Sequence, residues 1–120
     1  MNSKIILIVP GEPNSTFSEI LFKYIKSAVF KKNKSRIVII GCKKLLESQM
    51  KLLKYKIHFN EICSINESKI NLVNLINVNF KFKKAFTKIT DMSNRYIEEC
   101  FSRSLKIIKD QKLNILINGP

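Results

Sequence analysis

The sequence has few of the residues on which common catalytic motifs depend. It contains only three glycines and one histidine, and it lacks tryptophan. A Gly-x-Gly-x-x-Gly dinucleotide fingerprint and a phosphate-binding P-loop both need clustered glycines, so neither motif can be present. A single histidine, His58, cannot build a histidine metal cage. Since His58 lies in a short stretch of alternating apolar residues, we interpret it as a strand-edge or surface residue.

Cysteine is also scarce, and its spacing excludes two further classes of protein. Cys42, Cys63 and Cys100 are odd in number and far apart, with no Cys-x-x-Cys pair. This pattern argues against a disulfide framework and against a zinc site. The apolar run near the amino terminus is too short for a signal peptide, and no stretch approaches the ~20 apolar residues that span a membrane. We therefore expect free thiols and a soluble, cytoplasmic protein.

The charge is strongly unbalanced, with a net charge of +13 and a pI near 9.9. Such a surplus suggests a small basic nucleic-acid-binding domain, and Lys81, Lys83 and Lys84 alternate with phenylalanines as in a single-strand binding surface. Arginine, however, is the residue that forks onto phosphates and guanine edges, and only Arg36, Arg95 and Arg103 occur among the 22 basic residues. A lysine-rich solvated surface is the favoured interpretation, and nucleic-acid binding stays the alternative.

Hydrophobic patterns predict alternating strands and helices. Continuous apolar runs predict buried strands at Ile5–Val9, Arg36–Gly41 and 114–117, with less regular strands at 57–59 and 72–76. A capping box at 16–19 predicts the start of a helix with one apolar face, formed by Phe17, Ile20, Leu21, Tyr24 and Ala28. A second helix follows Gly41, with Leu46, Met50 and Leu53 on one side. A third runs over roughly 92–109, with a buried stripe of Ile97, Cys100, Phe101, Ser104, Leu105 and Ile108.

This order of elements predicts an α/β fold with a mostly parallel sheet and flanking helices in a single domain over 1–120. Two strands run directly into glycine–proline turns, at Gly11, Glu12 and Pro13 and at Asn118 and Gly119. Because chemistry in such sheets collects where strands deliver their carboxyl ends into loops, we name these five positions as candidate cleft-loop residues. A chain that stops at such a loop suggests the truncated, amino-terminal part of a larger enzyme.

These segments together resemble the 4-hydroxythreonine-4-phosphate dehydrogenase family. The opening strand with its Pro-Gly-Glu-Pro turn at 10–13 is similar to the start of that family. The helix opening Asn-Arg-Tyr-Ile-Glu-Glu at 94–99 and the strand ending Asn-Gly-Pro at 118–120 are similar to later segments of it. The resemblance covers the whole chain but only about the first third of such an enzyme. It implies an isocitrate/isopropylmalate-dehydrogenase-like fold, here incomplete.

The resemblance also implies a function. The family oxidises a phosphorylated hydroxy-amino acid with NAD or NADP in pyridoxal phosphate (vitamin B6) biosynthesis, works as a homodimer, and uses a divalent metal held by three histidines. None of those histidines, nor the family's Gly-His-Thr substrate motif, falls within this sequence, and His58 corresponds to none of them. The resemblance therefore assigns no catalytic, cofactor-binding or metal-binding residue here, and it predicts that the 120-residue chain alone is inactive.

The first loop departs from the family pattern. The family usually continues with Ala-Gly-Ile-Gly-Pro, whereas this chain reads Asn-Ser-Thr-Phe-Ser at 14–18, and Asn118 stands where threonine is common. These differences leave open a related dehydrogenase that acts on another sugar-acid phosphate, of the threonate or erythronate type.

Overall fold

Within the described part of the chain, the central sheet consists of five strands, all of them parallel. The computed structural model describes residues 4–81, 91–113 and 115–119. The strands are β1 (Ile5–Val9), β2 (Arg36–Gly41), β3 (Phe59–Glu61), β4 (Val73–Asn77) and β5 (Leu116–Asn118), and the helices are α1 (Phe17–Ile25), α2 (Ala28–Lys32), α3 (Lys43–Leu53) and α4 (Asp91–Gln111). The sheet order β3-β4-β2-β1-β5 confirms the predicted α/β architecture with a parallel sheet.

The two strands that were predicted most clearly form the centre of the sheet. Strands β1 and β2 have the predicted bounds, and they pair in register with Leu7 opposite Val38 and Ile8 opposite Ile39. Both strands are covered on their two faces, which explains why their sequences are continuous apolar runs rather than alternating ones.

Helices cover both faces of the sheet, and alternate residues of each strand point to opposite layers. On one face Leu7, Val9 and Val38 pack with Tyr96 and Cys100 of α4. On the other face the neighbouring strand residues pack with residues of α1 and α3, among them Leu21, Phe22, Ile25, Leu46 and Met50. None of the described helices combines the length and apolar character needed to cross a membrane.

Helix α1 differs from its prediction in both its cap and its buried face. Thr16 makes no side-chain cap; instead the Ser15 hydroxyl accepts a hydrogen bond from the Phe17 amide at 3.3 Å. The residues of α1 that are buried are Ser18, Leu21, Phe22 and Ile25. The predicted face was wrong in part, since Ile20 is 61% exposed and Ala28 belongs to α2. The error arises because α1 is apolar on two sides, and only one of them packs on the strands.

Strand β5 also differs from its prediction, because it is an edge strand and not a buried one. Within the described residues it pairs only with β1, and the Ile117 side chain is 45% exposed. Likewise Leu105, predicted in the buried stripe of α4, is 47% exposed. Strands β3 and β4 begin slightly later than predicted, at Phe59 and Val73. The predictions made for Asn114 and for the lysine–phenylalanine stretch beyond Lys81 lie outside the described residues.

Candidate functional site

The loop that follows β1 is a tightly braced turn at the carboxyl edge of the sheet. Gly11 has a φ of 79°, in the left-handed region that glycine adopts without steric cost, and both Gly11 and Pro13 are buried. The Glu12 carboxylate accepts hydrogen bonds from the Asn14 amide at 3.2 Å and from the Asn14 side chain at 3.0 Å. Glu12 therefore stabilises its own loop.

The structure brings the second predicted loop directly against the first. Strand β5 lies beside β1 with Val9 opposite Asn118, and the Gly119 amide donates to the Val9 carbonyl at 2.7 Å. A Cβ atom on Gly119 would lie 2.1 Å from the Pro10 carbonyl oxygen, a distance that no side chain tolerates. Glycine is thus required at position 119 by the close approach of the two strand ends. Asn118 is exposed at the same edge.

A buried glutamine that none of the sequence motifs includes fixes the first loop to α3. The Gln49 side chain is 3% exposed and donates to the Pro13 carbonyl at 2.8 Å. Gln49 stands three residues after Leu46 and one before Met50, on the buried side of the helix. A polar residue within an apolar stripe is the signal by which it could have been found, because a buried amide group needs hydrogen-bond partners.

The turn between β2 and α3 forms a further part of this edge. The Cys42 amide donates to the Tyr96 phenol oxygen at 2.8 Å, and the Lys43 amide donates to the Asn77 side-chain oxygen at 2.8 Å. Helix starts leave backbone donors without intrahelical partners, and here side chains from α4 and β4 accept from them. Burial is the main cause that raises the pKa of Tyr96, whose ring also stacks on Phe80 with 4.6 Å between centroids.

A cavity of about 580 Å³ opens beside this turn. Its lining comes from the carboxyl ends of β2, β3 and β4 and from the first turns of α3: Cys42, Lys43, Lys44, Glu47, Glu61, Asn77, Asn79, Phe80 and Lys81. Lys43 and Glu61 form an ion pair across it, with 3.3 Å between the ammonium nitrogen and the carboxylate oxygen. The cavity has the size and mixed polarity of a small-molecule site.

The described residues do not form a metal centre. No group of three or more histidine, cysteine, aspartate or glutamate side chains comes together within 4–81, 91–113 and 115–119. Cys42 and Cys100 are buried free thiols and Cys63 is an exposed one. Burial raises the pKa of the Cys100 thiol to about 12. His58 is exposed, as predicted.

A parallel sheet with helices on both faces and loops converging at its carboxyl edge defines an α/β protein of the open-sheet class. No protein-family model matches the chain. The chain is, however, 31% identical over 118 residues to the 4-hydroxythreonine-4-phosphate dehydrogenase of Sulfurihydrogenibium sp. (strain YO3AOP1), and this match covers 96% of the chain and 35% of that protein.

Solved structures with the same name share the fold. The 4-hydroxythreonine-4-phosphate dehydrogenase of Burkholderia phymatum superposes with a TM-score of 0.85 at 15% identity, over 100% of this chain and 37% of that one. The Klebsiella pneumoniae enzyme gives a TM-score of 0.82 at 17% identity, over 98% of this chain and 37% of that one. The chain is therefore similar in sequence to a 4-hydroxythreonine-4-phosphate dehydrogenase, and it shares the isocitrate-dehydrogenase-like α/β fold of the solved ones. It spans about a third of the length of these relatives.

Proposed function

We propose that this chain supplies the amino-terminal third of a cytoplasmic, homodimeric 4-hydroxythreonine-4-phosphate dehydrogenase of pyridoxal phosphate biosynthesis, dependent on NAD or NADP and on a divalent metal. The observation that carries this proposal is the 31% identity over 118 residues to an enzyme of that name. The shared fold supports it, because the chain superposes on two solved dehydrogenases of that name over 100% and 98% of its length, with TM-scores of 0.85 and 0.82.

In this proposal the chain contributes scaffold and cleft wall. Gly11, Glu12 and Pro13 are held by Gln49 and by the internal Glu12–Asn14 hydrogen bonds, and Gly119 holds the end of β5 against Pro10. These contacts keep two adjacent strand ends in one arrangement at the edge where α/β enzymes bind ligands. A preorganised wall of this kind orients a bound substrate, since its backbone does not need to be ordered on binding.

The metal and the nicotinamide cofactor do not fit the described residues of this chain. No set of metal ligands is assembled there, and the sequence has no glycine fingerprint for a dinucleotide. We therefore assign their binding to other parts of the complete enzyme and derive no chemical step through them. Because the metal and the cofactor are bound elsewhere in this proposal, we expect that the chain alone cannot oxidise the substrate.

An exchange experiment tests the proposal. The matched segment of the Sulfurihydrogenibium enzyme is replaced by the present chain, and reduction of NAD or NADP is followed with 4-hydroxythreonine 4-phosphate and a divalent metal ion. We expect turnover by the hybrid and none by the isolated chain. A folded hybrid without turnover, or turnover by the isolated chain with the same additions, would contradict the proposal.

The first loop favours a second candidate, a dehydrogenase of another sugar-acid phosphate. The side chain of Asn14 occupies the loop and binds Glu12 at 3.0 Å, at a position where the family resemblance implies alanine. Such a change alters the shape of the cleft wall. A panel of threonate and erythronate phosphates, assayed on the same hybrid, separates the two candidates. Equal or better turnover of 4-hydroxythreonine 4-phosphate rejects the second one.

A further inference from the structure

We propose that a basic cavity at the carboxyl end of α3 binds a phosphate group carried by a small molecule. The cavity has a volume of about 670 Å³, within the range of about 300–1,000 Å³ that is typical of small-molecule sites. The polar residues that line this α3-end cavity are Glu47, Lys51, Lys54, Tyr55, Lys56 and His58. The inference goes beyond the function proposed above and does not depend on it.

The path of the chain after α3 shapes the cavity. Lys54 has a φ of 61°, in the left-handed region, and the Tyr55 amide donates to the Met50 carbonyl at 2.9 Å. This helix end is of the Schellman type, and it turns the chain away from the axis of α3. Tyr55 and Ile57 then pack against the core, while Lys56 between them is exposed. The cavity therefore has α3 on one side and the segment after it on the other.

Positive charge dominates the lining of the α3-end cavity. Lys51 stands on α3, Lys54 at its end and Lys56 on the segment after it, and Glu47 is the carboxylate among the described lining residues. In the part of the chain that the structure describes, none of these three ammonium groups forms an ion pair. Ammonium groups gathered in this way repel one another, and a bound anion would offset that repulsion.

The dipole of α3 does not by itself explain this arrangement. Lysines near the carboxyl end of a helix interact favourably with its dipole, which accounts for Lys51 and Lys54. The effect falls off within the last turn, so it does not account for Lys56 on the segment after the helix. The cavity beside the β2–α3 turn differs, because there Lys43 is already paired with Glu61. Unpaired cations from two segments thus converge on the α3-end cavity, which favours a ligand of opposite charge.

The chemistry of the lining favours a phosphate group on a small molecule. Lysine binds phosphate as a point charge on a mobile side chain, and three such groups can approach different oxygens of one phosphate or pyrophosphate. Met50, Tyr55 and Ile57 add apolar surface for an uncharged part of the same molecule. A nucleic-acid strand is a poorer ligand. The described lining has no arginine, and the Tyr55 ring already packs against Phe22 with 5.8 Å between centroids, whereas strand-binding surfaces present rings on which bases stack.

Titration with inorganic pyrophosphate tests the inference. Isothermal titration calorimetry measures binding to the purified chain, and amide NMR shifts locate the site. We expect saturable binding that moves the amide signals of residues 51–58 and weakens at least about fivefold when the ionic strength rises from about 0.05 to about 0.3 M. The double substitution Lys51→Gln with Lys56→Gln should weaken binding about tenfold or more, because it removes two charge-assisted contacts to phosphate. Lys26→Gln with Lys109→Gln removes the same charge from exposed positions outside the lining and should leave binding unchanged.

Two lysines with the same backbone conformation provide a matched pair of variants. Lys54 and Lys112 each follow a helix and have positive φ values of 61° and 53°, which glycine adopts more easily than lysine. Neither Lys54→Gly nor Lys112→Gly should therefore lower the thermal stability of the chain. Only Lys54→Gly should weaken pyrophosphate binding, because Lys112 lies outside the lining. Glu47→Gln removes a carboxylate from the cavity and should tighten binding, whereas the same change at the exposed Glu98 should not.

Three results would overturn the inference. They are a wild-type chain that binds no pyrophosphate at low ionic strength, cavity variants that bind it as well as their controls do, and amide shifts that fall outside residues 51–58. A single-stranded oligonucleotide serves as the competing probe. If it binds through the cavity lysines while pyrophosphate does not, the surface is a nucleic-acid site and the inference is wrong.

Discussion

The hydrogen bond between Tyr96 and the Cys42 amide gives the sharpest test of how the candidate site is held together. It joins α4 to the end of β2 at 2.8 Å, and Tyr96 is 5% exposed. The substitution Tyr96→Phe removes the phenol oxygen and keeps the ring that stacks on Phe80. The Cys42 amide is then a buried donor without its acceptor, which costs about 1–3 kcal/mol of the free energy of unfolding.

A second tyrosine in the same chain provides the matched control. The Tyr24 phenol oxygen accepts a hydrogen bond from the Asn33 side chain at 2.9 Å, but Tyr24 is only partly buried, so water can replace the lost group. Tyr24→Phe should therefore cost less than about 1 kcal/mol. Urea unfolding of wild type and both variants, followed by circular dichroism, measures the difference.

Amide hydrogen exchange locates the effect of Tyr96→Phe. We expect faster exchange of the Cys42 amide and of the first turn of α3, because these groups lose their link to α4. Two outcomes would contradict this account: a Tyr96→Phe variant with the same urea midpoint of unfolding as the wild type, or one that is less destabilised than Tyr24→Phe. In either case the hydrogen bond to Cys42 does not hold the end of β2.

Three further predictions concern stability. The Asn74 side chain is fully buried, and its oxygen accepts a hydrogen bond from the Lys69 amide at 3.0 Å. Asn74→Leu should lower the free energy of unfolding in urea by about 3 kcal/mol. A loss under about 1 kcal/mol would contradict the structural role of Asn74. Gly119→Ala places a Cβ atom against the Pro10 carbonyl. It should lower the free energy of unfolding by about 1–3 kcal/mol or release β5, which would be seen as faster amide exchange in that strand. Unchanged exchange and stability would refute the close approach of the two strand ends. Burial raises the pKa of Cys100 to about 12, so the folded chain keeps a proton that the unfolded chain releases above about pH 9. The free energy of unfolding is therefore unaffected by this thiol below about pH 9, and it falls as the pH rises further, because only the unfolded chain can release the proton. By about pH 10.5 the wild type should lose about 2 kcal/mol more than Cys100→Ala, and parallel pH profiles would contradict this.

The sequence was sufficient to predict the centre of the fold. Strands β1 and β2 were located to the residue, because each is a continuous apolar run bounded by proline or glycine. Burial at the periphery was less predictable. The apolar run of β5 resembles that of a buried strand, but burial depends on neighbours on both sides, and in the part of the chain that the structure describes β5 has one neighbour. The exposed position of Ile20 was missed for a related reason, since two faces of α1 are apolar and local sequence does not show which one meets the sheet.

The candidate site was predictable only in its loops. Gly11 and Gly119 could be identified because each ends an apolar strand in a turn, and the structure places their loops side by side. The contacts that brace these loops could not be identified in the same way. Gln49 reaches Pro13 across 36 positions, and Tyr96 reaches Cys42 across 54. Such contacts are set by how the helices pack on the sheet, and a local pattern carries no information about them.

The measurement that tests the central claim most directly is the coding sequence beyond the codon for Pro120. If the chain is the front of a dehydrogenase, the open frame continues into a nearby lysine, then a Gly-His-Thr motif and further well-separated histidines, as the family resemblance implies. A stop codon at that position, with no such residues encoded downstream in any frame, would contradict the account. The relationship to the dehydrogenases would then describe the ancestry of the chain and not its activity.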